Sequence, residues 1–312
     1  MEHEKKSLDN GIAQETQEPD KSFFGVIIHS FFVVPFLIAV FAVLLFAAVR
    51  LLTSEQRTIY DYLSDVKTGG LTKRWQAAFE LSRLLAEPKL IPKEERFRSE
   101  MLNAFEHSRH DDNRVRQYLA LAMGRTGNLR FVEPLLFALK DETAENRYAI
   151  IYALGMLADK KAAPAIQSFL DDPDAKVRLF SVIALGQIGD RGSVPFLKKS
   201  LGDSEVSVGW EVAVALAKMS DASGKQVLLK LLDRGYLAKF PEVDAQEQTH
   251  VVLVAIEAAS NLKDQGLAAA IERLATSDPN MNVRKAALSA RNGSPTNQSV
   301  GRFLNSPPPD PP

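Results

Sequence analysis

The chain has 312 residues, 46% of them hydrophobic, and a formal net charge of −1. A chain of this length can bury a substantial core or build one extended repeat array, and its near-zero charge gives no global electrostatic support for nucleic-acid binding. Cysteine is absent, which excludes disulfides, thiol nucleophiles, thiolate metal sites and iron–sulfur clusters.

The first predicted element is a membrane span. Residues 22–49 read SFFGVIIHSFFVVPFLIAVFAVLLFAAV and contain no Lys, Arg, Asp or Glu. About 20 apolar residues suffice to cross the hydrocarbon core of a bilayer. The run is too long for the apolar part of a cleaved signal peptide, and no small-residue cleavage site follows it. We therefore expect a disordered N-terminal tail at 1–21 and a single transmembrane helix at 22–50.

The charges that flank this span bear on its orientation. Lys21 precedes it, whereas Arg50 and Arg57 follow it. This excess on the C-terminal side favours, by a small margin, a cell-membrane protein with its soluble part in the cytoplasm. Extending the window by two residues makes the two counts equal, so the side on which the soluble part lies stays open.

A linker helix is predicted after the span, at 51–71. Ile59, Leu63 and Val66 follow one another at intervals of four and three residues, which places them on one face of a helix. A pair of glycines then ends that helix. The segment is expected to connect the anchor to the soluble part and to cover its first layer.

The rest of the chain repeats one phrase every 31 residues. VRQYLALAMGRTGN, NRYAIIYALGMLAD and VRLFSVIALGQIGD each show helical spacing of apolar residues, and each is followed by a second, shorter helical pattern. The positions that keep the pitch are Arg116, Arg147 and Arg178; Gly124, Gly155 and Gly186; Ala122, Ala153, Ala184 and Ala215; and Leu139, Leu170, Leu201 and Leu232. Such a period predicts a solenoid, because one helix pair cannot bury its apolar face alone.

The turns of the repeat carry capping residues. An Asx residue precedes each second helix, where its side chain can accept from free backbone N–H groups and contribute about 1 kcal/mol. These residues are Asn128, Asp159, Asp190 and Asp221, and the corresponding residues before the first helices are Asp112, Thr143 and Asp174. The repeated glycines are expected to let adjacent helices approach closely.

The outer units are less regular than the inner ones. A first helix pair is predicted at about 72–107, with an enlarged turn, and residues 234–250 form an insertion after the fourth regular unit. The solenoid is expected to cover 72–292. The remaining segment, 293–312, is rich in Pro, Ser and Asn and is predicted to be disordered.

These units resemble HEAT repeats of the short bacterial type that also occurs in phycobilisome lyase subunits. The resemblance rests on the repeated Arg of the first helix, the Ala-Leu-Gly step and the Asp before the second helix, and it covers 72–292. It implies an all-α fold with an α-solenoid of about six HEAT-like helix pairs, which the single transmembrane helix expected from the apolar run precedes. It also implies a structural ladder of charged side chains between units, carried here by Arg116, Arg147, Arg178, Asp159 and Asp190.

The sequence offers little support for catalysis. Deoxyhypusine hydroxylases resemble this fold but hold two irons through paired His-Glu motifs, and the His-Glu pair of this chain, His3-Glu4, precedes the span. His107 and His110 have a spacing that suits a metal on a helix, but a solvated polar turn explains them better. We expect no catalytic residue, no metal and no cofactor; the alternative is a lyase-like or chromophore-handling enzyme on the same repeats.

The function expected from these features is that of a non-catalytic, membrane-anchored scaffold or adaptor. It would bind a protein partner and act as an accessory or assembly factor of a membrane complex, with no nucleic acid and no small-molecule substrate. Tyr236 and Phe240 make the insertion a candidate contact loop; packing over neighbouring units is an equally good interpretation of them. The second helices are expected to line the groove, with the lysines Lys198, Lys199, Lys225 and Lys230.

Overall fold

The computed structural model describes residues 29–53, 57–140 and 142–293. The predicted tail at 1–21, the start of the predicted span, part of the linker and all but the first residue of the predicted tail at 293–312 lie outside the described residues. The chain divides into two compact parts, one that ends at Arg57 and one that begins at Thr58.

The described residues of the N-terminal part are dominated by one long apolar helix. A π-helical turn, His29–Val33, leads into helix α1, Val34–Thr53. The stretch Phe31–Arg50 has a mean hydropathy of 3.0, and none of it is buried. By length and composition this helix can cross a membrane. Pro35 is the second residue of α1, where the lack of an N–H group costs no helical hydrogen bond.

Helices, joined by turns, are the regular elements among the described residues of the second part. Its helices, in chain order, are α2 (Ile59–Thr68), α3 (Leu71–Leu84), α4 (Glu95–His107), α5 (Asn113–Arg125), α6 (Val132–Leu139), α7 (Ala144–Leu157), α8 (Ala163–Gln167), α9 (Ala175–Ile188), α10 (Val194–Lys199), α11 (Val206–Lys218), α12 (Lys225–Leu231), α13 (Arg234–Leu237), α14 (Ala245–Ser260), α15 (Gln265–Ser277) and α16 (Met281–Arg291).

These helices form the α-solenoid that the sequence predicted. The first helices of the successive pairs are α3, α5, α7, α9, α11 and α14, and the second helices are α4, α6, α8, α10, α12 and α15. Helix α16 begins one further unit. Two helices stand outside the alternation: α2 precedes the first pair, and the short α13 lies in the insertion.

Most of the predicted caps are present at the starts of these helices. Each capping side chain accepts a hydrogen bond from the backbone N–H two positions further on. The capping residues are Asn128, Asp159, Asp221, Asp112 and Asp174. Thr143 and Asp190 make no such bond. The second helices open with short 3-10 turns, so the cap there fixes a turn that tightens into the helix.

The apolar faces of the helices join into a core that runs through the solenoid. One cluster of buried residues extends from Leu63 in α2 to Met219 after α11. A second cluster extends from Ala213 in α11 to Ala287 in α16. Helix α11 contributes side chains to both clusters, so the two meet along it. Each helix pair therefore shares its core with the pairs on either side, as stacked repeats require.

The repeated glycines mark the places where first helices touch. A Cβ atom on Gly155 in α7 would lie 2.7 Å from the Cα of Ala184 in α9. A Cβ on Gly124 in α5 would lie 2.8 Å from the Cα of Ala153 in α7. Only glycine fits at so close an approach of two backbones. The Gly–Ala step at 31-residue spacing is therefore one helix contact repeated from unit to unit.

Candidate functional site

The repeated arginines link each unit to the next. Arg178 in α9 donates from Nε and Nη2 to the two carboxylate oxygens of Asp203, at 2.8 Å in both cases, and from Nη1 to the carbonyl oxygen of Asp172 at 2.8 Å. Arg147 in α7 repeats the arrangement one unit earlier. Its Nη1 donates to the carboxylate of Asp172 at 2.9 Å, and its Nη2 donates to the carbonyl oxygen of Glu142 at 3.0 Å.

Arg116 in α5 occupies the most buried position of this series. Its Nε donates to Glu142 at 2.5 Å and its Nη1 donates to the carbonyl oxygen of Phe105 at 2.8 Å. The Arg116 and Glu142 side chains are 5% and 6% exposed. The guanidinium also lies 4.2 Å from the centre of the Phe105 ring. A pair this deeply buried is tolerated because further hydrogen bonds support both members: Arg116 donates to a backbone carbonyl, and Glu142 accepts from the Asn146 amide at 3.1 Å.

One acidic residue serves two arginines at two successive junctions. Asp172 receives Arg147 on its carboxylate and Arg178 on its backbone carbonyl. Glu142 receives Arg116 on its carboxylate and Arg147 on its carbonyl. Each junction acid therefore ties the unit before it to the unit after it, and this linkage is structural.

Arg234 makes the corresponding link across the insertion. Its Nε and Nη2 donate to the carboxylate of Asp278 at 3.0 Å and 3.1 Å. Arg284 in α16 donates to the carbonyl oxygen of the same residue at 2.6 Å. The unit that contains α11 has Gly209 where the others have the ladder arginine. Arg234, which lies in the insertion, is the cation that pairs with the junction acid Asp278.

Asp159 and Asp190 do not have the ladder role that was expected of them. Asp159 accepts from the backbone N–H of Lys161 at 3.0 Å, and the described residues show no ion pair between either aspartate and a ladder arginine. Arg147 and Arg178 lie in the first turn of their helices, whereas these aspartates follow the C-terminal ends. Twelve positions along an α-helix correspond to about 18 Å. The arginines therefore pair with the junction acids, which are nearer.

Lys198 and Lys225, two of the predicted contact lysines, form salt bridges within the solenoid. The Nζ of Lys198 lies 2.8 Å from Asp221, and the Nζ of Lys225 lies 2.5 Å from Asp264. Burial alone would raise the pKa of Asp221, but hydrogen bonds from Lys198 and Ser223 outweigh it and lower that pKa to about 2. Both lysines therefore stabilise the junction between their own unit and the next.

Lys199 and Lys230, the other two predicted contact lysines, are exposed beside aromatic rings. The Nζ of Lys199 lies 5.7 Å from the centre of the Phe196 ring, and that of Lys230 lies 5.8 Å from the centre of the Tyr236 ring. Neither lysine has a carboxylate partner within the part of the chain that the structure describes. Phe196, in α10, is itself 43% exposed.

The aromatic residues of the insertion pack against the preceding unit. Tyr236 and Phe240 form a cluster with Trp210 of α11, in which the ring centres of Phe240 lie 5.1 Å from Trp210 and 5.2 Å from Tyr236. The indole N–H of Trp210 donates to the Tyr236 hydroxyl at 3.4 Å. All three side chains are half-buried, so each contributes to packing and still presents surface to solvent.

A pocket of about 810 Å³ opens at the C-terminal ends of the first helices. Its lining includes Arg83, Glu87, Arg125, Met156, Ala158 and Gln187. These residues belong to α3, α5, α7, α9 and the turns that follow them. The second helices, which were expected to line the groove, contribute no residue to this pocket. The difference arises because the first helices stack directly on one another, so their ends form a continuous wall.

Arg125 is the charged group held deepest in this pocket. Its Nη1 donates to the carbonyl oxygen of Ser82 at 2.6 Å and to the Ser82 hydroxyl at 2.7 Å. Burial lowers the pKa of the Arg125 guanidinium, but an arginine stays charged throughout the physiological range. The pocket therefore holds a positive charge whose orientation is fixed by α3.

Of the two histidines with metal-like spacing, His107 is the last residue of α4 and His110 ends the 3-10 turn that follows it. The Nδ1 of His107 is 2.8 Å from the carbonyl oxygen of Asn103, and Asp112 caps α5. Among the residues that the structure describes, no group of three or more His, Asp or Glu side chains is arranged to hold a metal ion.

The repeat geometry defines the class of protein. Residues 101–176 and 163–237 match the family model described as HEAT repeats. This part of the chain therefore consists of HEAT repeats, as the sequence predicted. No curated protein matches the chain significantly.

Three solved structures are similar to the chain to different degrees. The complex of CpcE and CpcF of phycocyanin lyase from Nostoc sp. PCC7120 is 21% identical, with a TM-score of 0.51 over 77% of this chain and 96% of that chain. Human deoxyhypusine hydroxylase is 16% identical, with a TM-score of 0.33 over 76% and 85%. A designed armadillo repeat protein is 18% identical, with a TM-score of 0.37 over 74% and 97%. The first of these similarities supports the solenoid fold.

The sequence did not predict the role of two sets of residues. The junction acids Glu142, Asp172 and Asp203 recur at intervals of 30 and 31 residues, close to the repeat period, and this spacing could have identified them. The pocket residues Arg125, Met156 and Gln187 are also 31 apart, but they are chemically unlike one another. No residue pattern in the sequence marks them as neighbours.

Proposed function

We propose that this protein is a non-catalytic scaffold, anchored in a membrane by α1, that holds a protein partner on its HEAT solenoid as an accessory or assembly factor of a membrane complex. The observation that carries the proposal is that two second helices expose aromatic residues, one of them beside a lysine. Phe137 of α6 is 69% exposed, and Phe196 of α10 lies next to Lys199. Aromatic residues on a rigid surface are typical anchors of protein interfaces.

The charges inside the repeats support a scaffold. The ladder arginines and the junction acids are occupied by one another, so the solenoid keeps its shape without a ligand. A stacked array offers an extended surface to a partner. Attachment to the membrane would raise the local concentration of a membrane-bound partner around that surface.

Helix α1 supports the membrane part of the proposal. Its described residues are apolar and exposed over a length that matches a bilayer. The charges on either side of the helix favour a cytoplasmic solenoid by only a small margin. The proposed location is therefore the cell membrane, with the solenoid on the cytoplasmic side.

The test is a mild cross-link in native membranes, followed by purification of the full chain and mass spectrometry. The expected result is one membrane complex that recurs across preparations. Tyr236→Ala, Phe240→Ala and the double change Lys199→Glu with Lys230→Glu should reduce its recovery. Lys89→Glu is a matched control, because Lys89 is exposed in the turn of the first helix pair. Equal recovery with all variants would contradict the assigned surface, and no recurring complex would contradict the scaffold.

A cofactor- or chromophore-handling enzyme on the same repeats is the alternative. The observation in its favour is the pocket of about 810 Å³, which is within the size range of small-molecule sites. The same purified sample distinguishes the two functions. Visible absorbance or stoichiometric metal in the absence of a protein partner would favour the alternative.

A further inference from the structure

We propose that the groove at the C-terminal ends of the first helices binds an extended, acidic peptide segment of the protein partner, with one carboxylate of that segment paired to Arg125. This inference rests on the proposed function, because it assigns part of the partner's contact to a particular surface. The second helices and the insertion are separate surfaces, so the groove can be tested independently of them.

Arg125 is an arginine for which the fold supplies no counterion. Its hydrogen bonds to Ser82 hold the guanidinium against the groove wall. Among the described residues, no carboxylate oxygen lies within salt-bridge distance of it, whereas Arg116, Arg147 and Arg178 each hold a carboxylate. A half-buried guanidinium with unused N–H donors is best neutralised by a carboxylate, which matches its planar geometry.

The shape of the groove favours an extended chain as the occupant. Arg125, Met156 and Gln187 follow one another at one residue per unit, so they form a row across three units. Met156 and Ala158 offer apolar surface beside the polar Gln187, which suits alternating side chains of an extended peptide. A small free anion on Arg125 would leave most of the 810 Å³ unfilled.

Two exposed residues at the groove rim allow its charge to be changed without disturbing the core. Arg83 pairs with Glu80 on the same helix at 2.7 Å and is 63% exposed. Glu87 is exposed in the turn after α3 and forms no ion pair with the described residues. Arg83→Glu makes the groove more negative and Glu87→Lys makes it more positive. Their effects on an acidic ligand should therefore have opposite signs.

The test is a selection of random heptapeptides displayed on phage, with the full chain in lipid nanodiscs as the target, followed by fluorescence-polarisation titration of the selected peptides. The wild-type protein should select peptides that share an Asp or Glu. Arg125→Ala should weaken these peptides about tenfold to a hundredfold, the effect of losing a hydrogen bond to a charged group. Arg125→Glu should instead select peptides with Lys or Arg. Arg83→Glu should weaken, and Glu87→Lys strengthen, the acidic peptides by roughly threefold.

Arg191→Glu is the matched control, since Arg191 is exposed in the turn before α10 and does not line the groove. The inference would be overturned if no peptide were selected or if the selected peptides shared no acidic residue. It would also be overturned if substitutions at Arg125, Arg83 and Glu87 left the peptide affinities unchanged. Circular dichroism melts identify an Arg125 variant that fails to fold. In that case the peptide affinities of the Arg83→Glu and Glu87→Lys variants decide whether the groove binds an acidic peptide. If the cross-linked partner of the previous experiment is retained by a folded Arg125→Glu chain, the groove inference fails and the scaffold stands. If peptides bind as expected but no partner is recovered, the membrane scaffold fails and the groove stands as a peptide site.

Discussion

Arg178 and Asp203 are joined by two parallel hydrogen bonds of 2.8 Å, which connect the first turn of α9 to the start of the unit that follows. The two side chains are 13% and 8% exposed. The hydrogen bonds from Arg178 lower the pKa of Asp203, although burial opposes the change. Such a two-point contact fixes the angle between units as well as their distance, because a planar fork meets a planar carboxylate.

Arg178→Ala should destabilise the solenoid by about 3–5 kcal/mol, since it leaves the buried carboxylate of Asp203 without its partner. Urea unfolding followed by circular dichroism measures the change. Arg178→Lys should recover only part of the loss, because an ammonium group cannot form the paired contact. The exposed Arg191→Ala should stay within about 0.5 kcal/mol of the wild type. A loss at Arg178 no larger than that at Arg191 would contradict the structural role.

Gly155→Ala should destabilise the contact between α7 and α9 by about 1–3 kcal/mol, because the added methyl group would overlap the backbone at Ala184. Thermal unfolding of the purified chain measures the effect. Gly202→Ala is the control, since a Cβ at Gly202 meets nothing within 4 Å. If both variants melt at the same temperature as the wild type, the close contact between α7 and α9 at Gly155 is contradicted.

The pKa of Asp221, about 2 against an ordinary value of 3.8, makes stability depend on pH in a defined direction. The folded state favours the charged carboxylate, so its contribution is full above the unfolded pKa and is lost as the pH falls towards 2. Lys198→Ala should raise the pKa of Asp221, and NMR titration of the carboxyl carbon measures this. Lys199→Ala should leave it unchanged, since Lys199 does not contact Asp221. An Asp221 pKa that stays low in Lys198→Ala would show that the salt bridge is not its cause.

Phe41→Arg combined with Leu44→Arg should release the chain from membranes, because each charged residue near the centre of a membrane helix costs about 2.5–3.5 kcal/mol. Alkaline carbonate extraction followed by immunoblotting distinguishes an embedded chain from a released one. Leu90→Arg, at an exposed position of the solenoid, serves as the control. Anchoring by α1 would be contradicted if the double variant stayed in the membrane after carbonate extraction. It would also be contradicted if carbonate released the wild-type chain.

The sequence predicted the solenoid because its core is built in equal slices. The Gly–Ala step, the caps and the apolar faces recur every 31 residues, so each could be recognised by comparison with its copies. The charged ladder was only half predicted. Arg116, Arg147 and Arg178 were identified by their pitch, but their partners lie across a turn, and sequence spacing alone does not show which of several nearby acids an arginine reaches.

The candidate binding surface was harder to predict for the same reason. Arg125, Met156 and Gln187 share a place in the repeat and differ in chemistry, so nothing in a single unit marks them. Tyr236 and Phe240 were identified because they depart from the repeat, and the structure adds a third ring, Trp210, from the unit before. A surface formed by unlike residues becomes visible only when the units are stacked.

The bond between Arg234 and Asp278 spans 44 positions and encloses the insertion. This ion pair therefore connects the chain before residues 241–244 to the chain after them. The core that α11, α12 and α14 share connects the same two segments. A peptide bond broken between 241 and 244 should leave one particle rather than two. The solenoid is therefore a natural candidate for reconstitution from two separately made fragments divided at this point.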